Sequence, residues 1–258
     1  MNQLDSEASL RSPERPSNPI PFVLPLIVYM AIAYRYPDVA SSMEGDIGEP
    51  DGSESSLGMT REMWWYMALV GAQVVIISGL LIWFRRVYLD HFSFRISPLS
   101  VLVGVVGVML WVGLCQLELE PRLLVMLGWD ASRPEFNPFA IDDQSILALF
   151  LALRFSLLVL IVPVVEELFL RGWLVRWIEN PDWETVGLQG LSAKALLAAS
   201  IYGVLTHPSE ALAAFTWFGL VTWLMNRTGN LWDCIVAHAV TNLLLGIYVL
   251  KFEQWQLW

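Results

Sequence analysis

The chain alternates between long apolar runs and short polar breaks, and the runs are long enough to be read as membrane helices. Apolar stretches cover residues 20–34, 63–84, 99–119, 145–178, 193–207, 209–226 and 231–250. Most are about 15 to 25 residues long, the length a helix needs to cross a bilayer. The pattern therefore predicts an all-α, polytopic transmembrane bundle of about seven spans. Pro21 and Pro25 weaken the first span, which is also short for a crossing. Trp64 and Trp65 sit at one end of the second span and Trp83 at the other, like the aromatic belts of membrane proteins. Gly104, Gly107 and Gly113 in the third span suit close helix packing. The fifth span should end at His207, because Pro208 disfavours helical geometry at the residue before it.

The polar breaks divide the chain into four parts. Residues 1–19 are Pro- and Ser-rich and read as a disordered tail. Residues 20–144 hold the first three spans and their loops, including an acidic Gly/Ser loop at 38–60 and a loop with three prolines at 120–144. Residues 145–250 form a helical core, and 251–258 a short tail. No internal repeat is visible.

Composition agrees with a bilayer setting. The 258 residues are 56% hydrophobic and 16% charged, with 13 Trp, and the mean hydropathy is +0.54. Ordinary soluble domains carry about 25% charged residues. A net charge of −10 argues against nucleic acid as a partner. Cys115 and Cys234 both lie in apolar runs and read as small buried side chains rather than a disulfide or metal framework. Lys and Arg placement sets orientation. With the N-terminus in the cytoplasm, the inner segments hold nine cations: Arg11, Arg15, Arg85, Arg86, Arg95, Arg171, Arg176, Lys194 and Arg227. The outer segments hold five: Arg35, Arg61, Arg122, Arg133 and Lys251. This favours N-in and C-out in a cytoplasmic membrane, with Arg154 inside a span.

Candidate chemistry begins with Glu166 and Glu167, two adjacent carboxylates inside the fourth apolar run. Carboxylates placed in a bilayer are expensive and mark a functional site by default. On a helix, Glu167 and Arg171 stand at i, i+4 and can pair. Glu166 is turned about 100° away and faces something else. The bland alternative is a structural ion pair. Two histidines occur in the apolar C-terminal third, His207 and His238, with Asn242 one turn after His238 on the same face. Glu166 lies 12 residues before Ile178, and His207 lies 12 residues after Ala195. An antiparallel hairpin would bring them level, each about 18 Å from the connecting loop. His238 would lie roughly 10 Å from the same end. The four groups can converge in a polar intramembrane cavity nearer the cytoplasmic face. A carboxylate withdrawn from water can serve as a general base, and a histidine beside it can orient water or relay a proton. Histidine and amide donors can stabilise an oxyanion.

These three motifs, Glu-Glu-x-x-x-Arg at 166–171, the span-ending His207, and His-x-x-x-Asn at 238–242, resemble those of the CAAX protease and bacteriocin-processing family of intramembrane glutamic endopeptidases. The similarity covers about residues 145–250 and extends to bacterial members that accompany exosortase sorting systems. It implies a multi-helix fold with a cytoplasm-accessible cavity and hydrolysis of a peptide bond in a membrane-associated, CAAX-like or sorting-signal substrate. By that resemblance Glu166 would activate water with help from His207, and His238 and Asn242 would form the oxyanion site. Glu167 and Arg171 would order the acidic helix. One position departs from the pattern: where the family has Phe four residues before its second-motif His, this chain has Gly203, beside Tyr202.

Other readings rank below this one. A zinc site built from Glu166, His207 and His238, with Glu167 near, is the metal alternative; the resemblance implies no cofactor. Asn180-Pro181-Asp182 lacks the glycine and the His-Glu-x-x-His of site-2 zinc proteases. Ser78-Gly79 lacks the first glycine of the rhomboid motif. A transporter would show inverted repeats and broken helices in two halves. The remaining alternative is a non-catalytic membrane partner, of the same fold, in a sorting or immunity system.

Overall fold

The computed structural model describes residues 18–36, 61–126, 128 and 136–257. The expected disorder of residues 1–19 falls almost wholly outside these residues, as does the acidic loop 38–60. All seven expected spans are helices, and no strand occurs among the described residues. In chain order they are α1 (Ile20–Ala33), α2 (Arg61–His91), α3 (Pro98–Cys115), the short α4 (Leu119–Met126), α5 (Gln144–Phe155), α6 (Val162–Phe169), α7 (Val175–Glu179), α8 (Ala193–Thr206), α9 (Ala211–Thr228) and α10 (Leu231–Phe252). Four stretches are long and apolar enough to cross a membrane: Arg61–His91, Pro98–Leu123, Gln144–Glu179 and Leu231–Phe252. Helices α1 and α8 are apolar but shorter.

Two details differ from the sequence expectation. The 120–144 segment begins with helix α4, which its Pro121 tolerates because the first turn needs no N–H donor there. The fourth span, expected as one helix, is α5, α6 and α7 separated by π-helical turns at Ser156–Ile161 and Leu170–Leu174. Such turns are frequent at functional sites. Here they bracket the two-turn helix α6, which carries both glutamates.

Proline accounts for two of the contacts that hold these broken helices. Pro25 has no N–H for the carbonyl of Pro21, four residues back, and the Tyr88 hydroxyl from α2 donates to that carbonyl at 2.6 Å. Within the first π turn, Val162 N–H bonds to Leu157 five residues back. Pro163 would do the same for Leu158 but has no N–H. Asn242 Nδ2 from α10 donates to the Leu158 carbonyl instead, at 2.8 Å. The sequence signal thus fixes where the backbone needs an outside partner, and the tertiary fold supplies it.

Helix α6 packs against α1 and α10, while α3 packs against α9 and α10. The expected glycine packing is found at two of its three positions. A Cβ at Gly104 would come within 2.7 Å of Val240, and one at Gly107 within 2.9 Å of Thr241 Oγ1, so α3 and α10 meet almost backbone to backbone. Gly113 faces open space and serves no such contact. Cys115 is half-buried, Cys234 is fully buried, and neither is in a disulfide.

Candidate active site

Helix α6 turns its two carboxylates in different directions, as adjacent helical residues must. Glu167 is fully buried and forms an ion pair with Arg171 Nη1, also fully buried. The second π turn sets Arg171 so that all three of its nitrogens are engaged. Nε donates to Thr222 Oγ1 at 3.2 Å and Nη2 to the Phe218 carbonyl at 2.8 Å, both on α9. A guanidinium with this many partners can stay charged in the interior, where an unpaired one would be costly.

The other oxygen of Glu167 accepts from His238. Its Oε1 lies 3.0 Å from His238 Nδ1. Because a carboxylate only accepts, Nδ1 carries the proton in this bond. The remaining ring nitrogen, Nε2, points to Glu166 Oε2 at 4.0 Å. That is too long for a direct hydrogen bond, but a single water in contact with both atoms spans it. The Trp217 ring packs edge-on against His238 with centroids 4.6 Å apart, and Trp217 Nε1 donates to Thr241 Oγ1 at 3.1 Å. The imidazole is therefore fixed in its plane by a carboxylate on one side and an indole on its face.

Glu166, His207, His238 and Asn242 all line one cavity of about 310 Å³. The antiparallel pairing that would bring Glu166 and His207 together is thus realised. His207 caps α8 with Nδ1 3.0 Å from Thr206 Oγ1 and 3.3 Å from the Gly203 carbonyl. The helix end engages that nitrogen and leaves Nε2 for the cavity. Trp111 and Phe218 pack against the ring, with centroids at 5.4 and 5.8 Å. Asn242 has one amide N–H committed to Leu158 and keeps its second for a ligand. Of the alternative zinc set, Glu166, His207 and His238 share this cavity. Among the described residues, however, no three His, Cys, Asp or Glu side chains gather closely enough to hold a metal ion.

The Gly203 departure has a steric explanation. A Cβ at Gly203 would stand 2.3 Å from Phe218 Cδ2. The Phe218 ring, coming from α9, fills the place beside His207 and Tyr202 that a side chain at 203 would need. Phe218 also lies under the Arg171 guanidinium, 5.8 Å from its carbon. Sequence reasoning missed Phe218, Trp217, Trp111 and Thr222, because aromatic and hydroxyl residues in apolar helices carry no motif. It also missed Tyr29 and Arg154, which line the same cavity. Arg154 was visible as a lone cation within a span, and it donates from Nη1 to Tyr66 Oη at 2.6 Å.

The sequence places the opening nearest the 179–194 loop, and the cavity runs the other way. The cavity wall includes Glu210, Gln256 and Leu257 at the end of the bundle that holds the C-terminus of α10. It does not run toward the 179–194 loop. Trp111 and Val249 come near the ends of α3 and α10, His207 caps the end of α8, and Glu210 immediately precedes α9.

A buried carboxylate faces a carboxylate-bound histidine, with a second histidine and an amide in the same cavity, a set of groups that can activate water and donate to an oxyanion. Residues 148–244 match the family model described as Rce1-like, type II CAAX prenyl endopeptidase, and this is the group that the three motifs resemble. The matched segment contains all six charged or polar residues of those motifs. With its apolar helices, the match makes this an integral membrane protein. No curated protein and no solved structure matches the chain.

Proposed function

We propose that the protein is an intramembrane endopeptidase that hydrolyses a peptide bond with water activated by Glu166. The observation that carries this reading is the geometry around His238: Nδ1 on Glu167 at 3.0 Å and Nε2 facing Glu166 at 4.0 Å, inside a cavity large enough for a peptide segment.

In this reading a water sits between Glu166 and His238. Glu166 takes its proton as the oxygen adds to the scissile carbonyl carbon. Negative charge develops on the carbonyl oxygen, and His238 Nε2 and the second Asn242 N–H are the donors placed to stabilise it. Glu167 supports this by fixing the His238 ring through Nδ1, and in this step both ring nitrogens donate, Nδ1 to Glu167 and Nε2 to the oxyanion. Glu166 then returns the proton to the leaving nitrogen as the C–N bond breaks. His207, across the cavity, orients the water or relays the proton. The chemistry needs only water and the peptide. The substrate is a membrane-associated peptide or protein segment, and the site residues are those that the sequence singles out. The test is cleavage of an apolar fluorogenic peptide pool by purified protein in detergent. Wild type should cleave and Glu166→Gln should not. Equal biological function in both would make the protein a non-catalytic partner.

A further inference from the structure

We infer that residues 253–257 form a strap across the mouth of the cavity, which swings away on Glu253 to admit a peptide chain and folds back afterwards. What enters rests on the protease reading, whereas the gate rests on the fold alone. Helix α10 ends at Phe252, and Glu253 takes a left-handed backbone, φ 54°, that turns the chain back on itself. A residue with a Cβ takes this conformation at a steric cost. The chain beyond it makes one tight turn, Trp255–Leu257. Gln256 and Leu257 thereby become part of the cavity wall, together with Glu166, His207 and His238. Every other described lining residue belongs to a helix, to a π turn within one, or to a helix cap.

The bonds that hold the strap are local. Among the described residues, its hydrogen bonds all fall within residues 249–257. Gln254 N–H donates to the Val249 carbonyl at 3.2 Å, and Leu257 N–H to the Gln254 carbonyl at 3.0 Å. Gln254 Nε2 donates to the Phe252 carbonyl at 3.2 Å, and Gln256 Nε2 to Gln254 Oε1 at 3.1 Å. Only the bonds to Val249 and Phe252 cross the Glu253 hinge. The strap's aromatic hold on another element is one ring contact: the Trp255 indole meets the Phe139 ring edge-on, with centroids 5.8 Å apart. Phe139 is half-exposed but stands on a firm base. Pro138 restricts the backbone of its turn, Asn137 Oδ1 accepts from Phe139 N–H at 2.9 Å, and the buried Ile141 follows. One side of the clasp is thus anchored, and the other is a turn on a hinge. A cavity of about 310 Å³ takes in the few residues about a scissile bond, and the rest of a substrate chain must leave through its wall. The strap is the part of that wall whose movement breaks no helix. Short segments that turn about a few terminal residues gate many active sites in this way.

Gate and chemistry are tested separately. In a Cys115→Ala background, with Cys234 fully buried, Leu245→Cys places a thiol in the cavity wall. Its rate of modification by a bulky maleimide is measured in purified protein, with Trp255 intact and with Trp255→Ala. Trp255→Ala should raise that rate by about two- to tenfold, the shift expected from losing one edge-on aromatic pair. Methyl methanethiosulfonate, a much smaller reagent, serves as the control and should react alike in both. An equal maleimide rate overturns the strap. The converse variant carries Phe139→Cys and Trp255→Cys in the same background, without Leu245→Cys, joined by a short bis-methanethiosulfonate. The clamped protein should lose cleavage of long peptides and regain it on reduction. Cleavage unchanged by the clamp means that substrates enter between helices, and overturns the gate. Wild-type protein that cleaves no peptide overturns the protease reading, and the maleimide rates still decide the strap.

Discussion

His238 stands between the two glutamates, with Nδ1 3.0 Å from Glu167 Oε1 and Nε2 4.0 Å from Glu166 Oε2. The adjacent carboxylates therefore have different work: one holds the imidazole, and the other is left facing it across the width of a water.

Glu167 is then a positioning residue. Glu167→Gln keeps the volume but removes the charge that holds both Arg171 and the His238 Nδ1 proton. Turnover should fall by about 10-fold or more, in the range seen when a histidine loses its orienting partner. Arg171→Ala leaves the Glu167 carboxylate without its guanidinium at zero exposure, with His238 Nδ1 its remaining partner. It should destabilise by about 3–5 kcal/mol, read as lost folded yield and a lower Tm. Full yield and an unchanged Tm would remove the structural role.

Asn242 has two tasks that substitutions can separate. Asn242→Ala orphans the Leu158 carbonyl that Pro163 cannot serve, at a cost of about 1–3 kcal/mol, and also removes a donor from the cavity. Asn242→Gln can still donate but from a shifted position. Thermal melts and cleavage assays on both should show Gln recovering more stability than activity.

Gly203 and Phe218 occupy one space. Gly203→Phe alone should overpack the site and lower the Tm, with a cost of at least the 1–3 kcal/mol typical of overpacked cores. Combining it with Phe218→Gly should recover much of the loss, because the ring then enters from α8 instead of α9. A double variant no more stable than Gly203→Phe would show that the two positions do not exchange.

These pairs show what the sequence reveals and what it hides. Length and apolarity are enough to find every span. The helical spacing of Glu167 and Arg171 predicts their ion pair. The i, i+4 spacing in 238–242 puts His238 and Asn242 on one face, as found. Matching depths bring Glu166 and His207 to one cavity. The π turns beside α6 were not legible, since no residue type demands them. Nor was the choice of Glu167 over Glu166 as the partner of His238 Nδ1, which depends on helix rotation in the packed bundle. The Phe218 ring in the Gly203 gap depends on how α9 crosses α8, a property of two helices together. The direction in which the cavity opens needed the loops and the tail, where Gln256 and Leu257 fold back past Glu253 in left-handed geometry.

If water is activated by Glu166 alone, hydrolysis should persist after treatment with a strong zinc chelator. Activity lost on chelation and restored by added zinc would move Glu166, His207 and His238 into a metal-ligand role.

The most direct measurement is the peptide cleavage rate of purified wild type beside Glu166→Gln, His238→Ala and the double variant, with folding checked by Tm. The account predicts folded proteins whose rates fall at least about 10²-fold in each single variant, the low end for a positioned general base. It predicts little further loss in the double variant, because both groups serve one transition state. A folded Glu166→Gln protein that cleaves at the wild-type rate would contradict it.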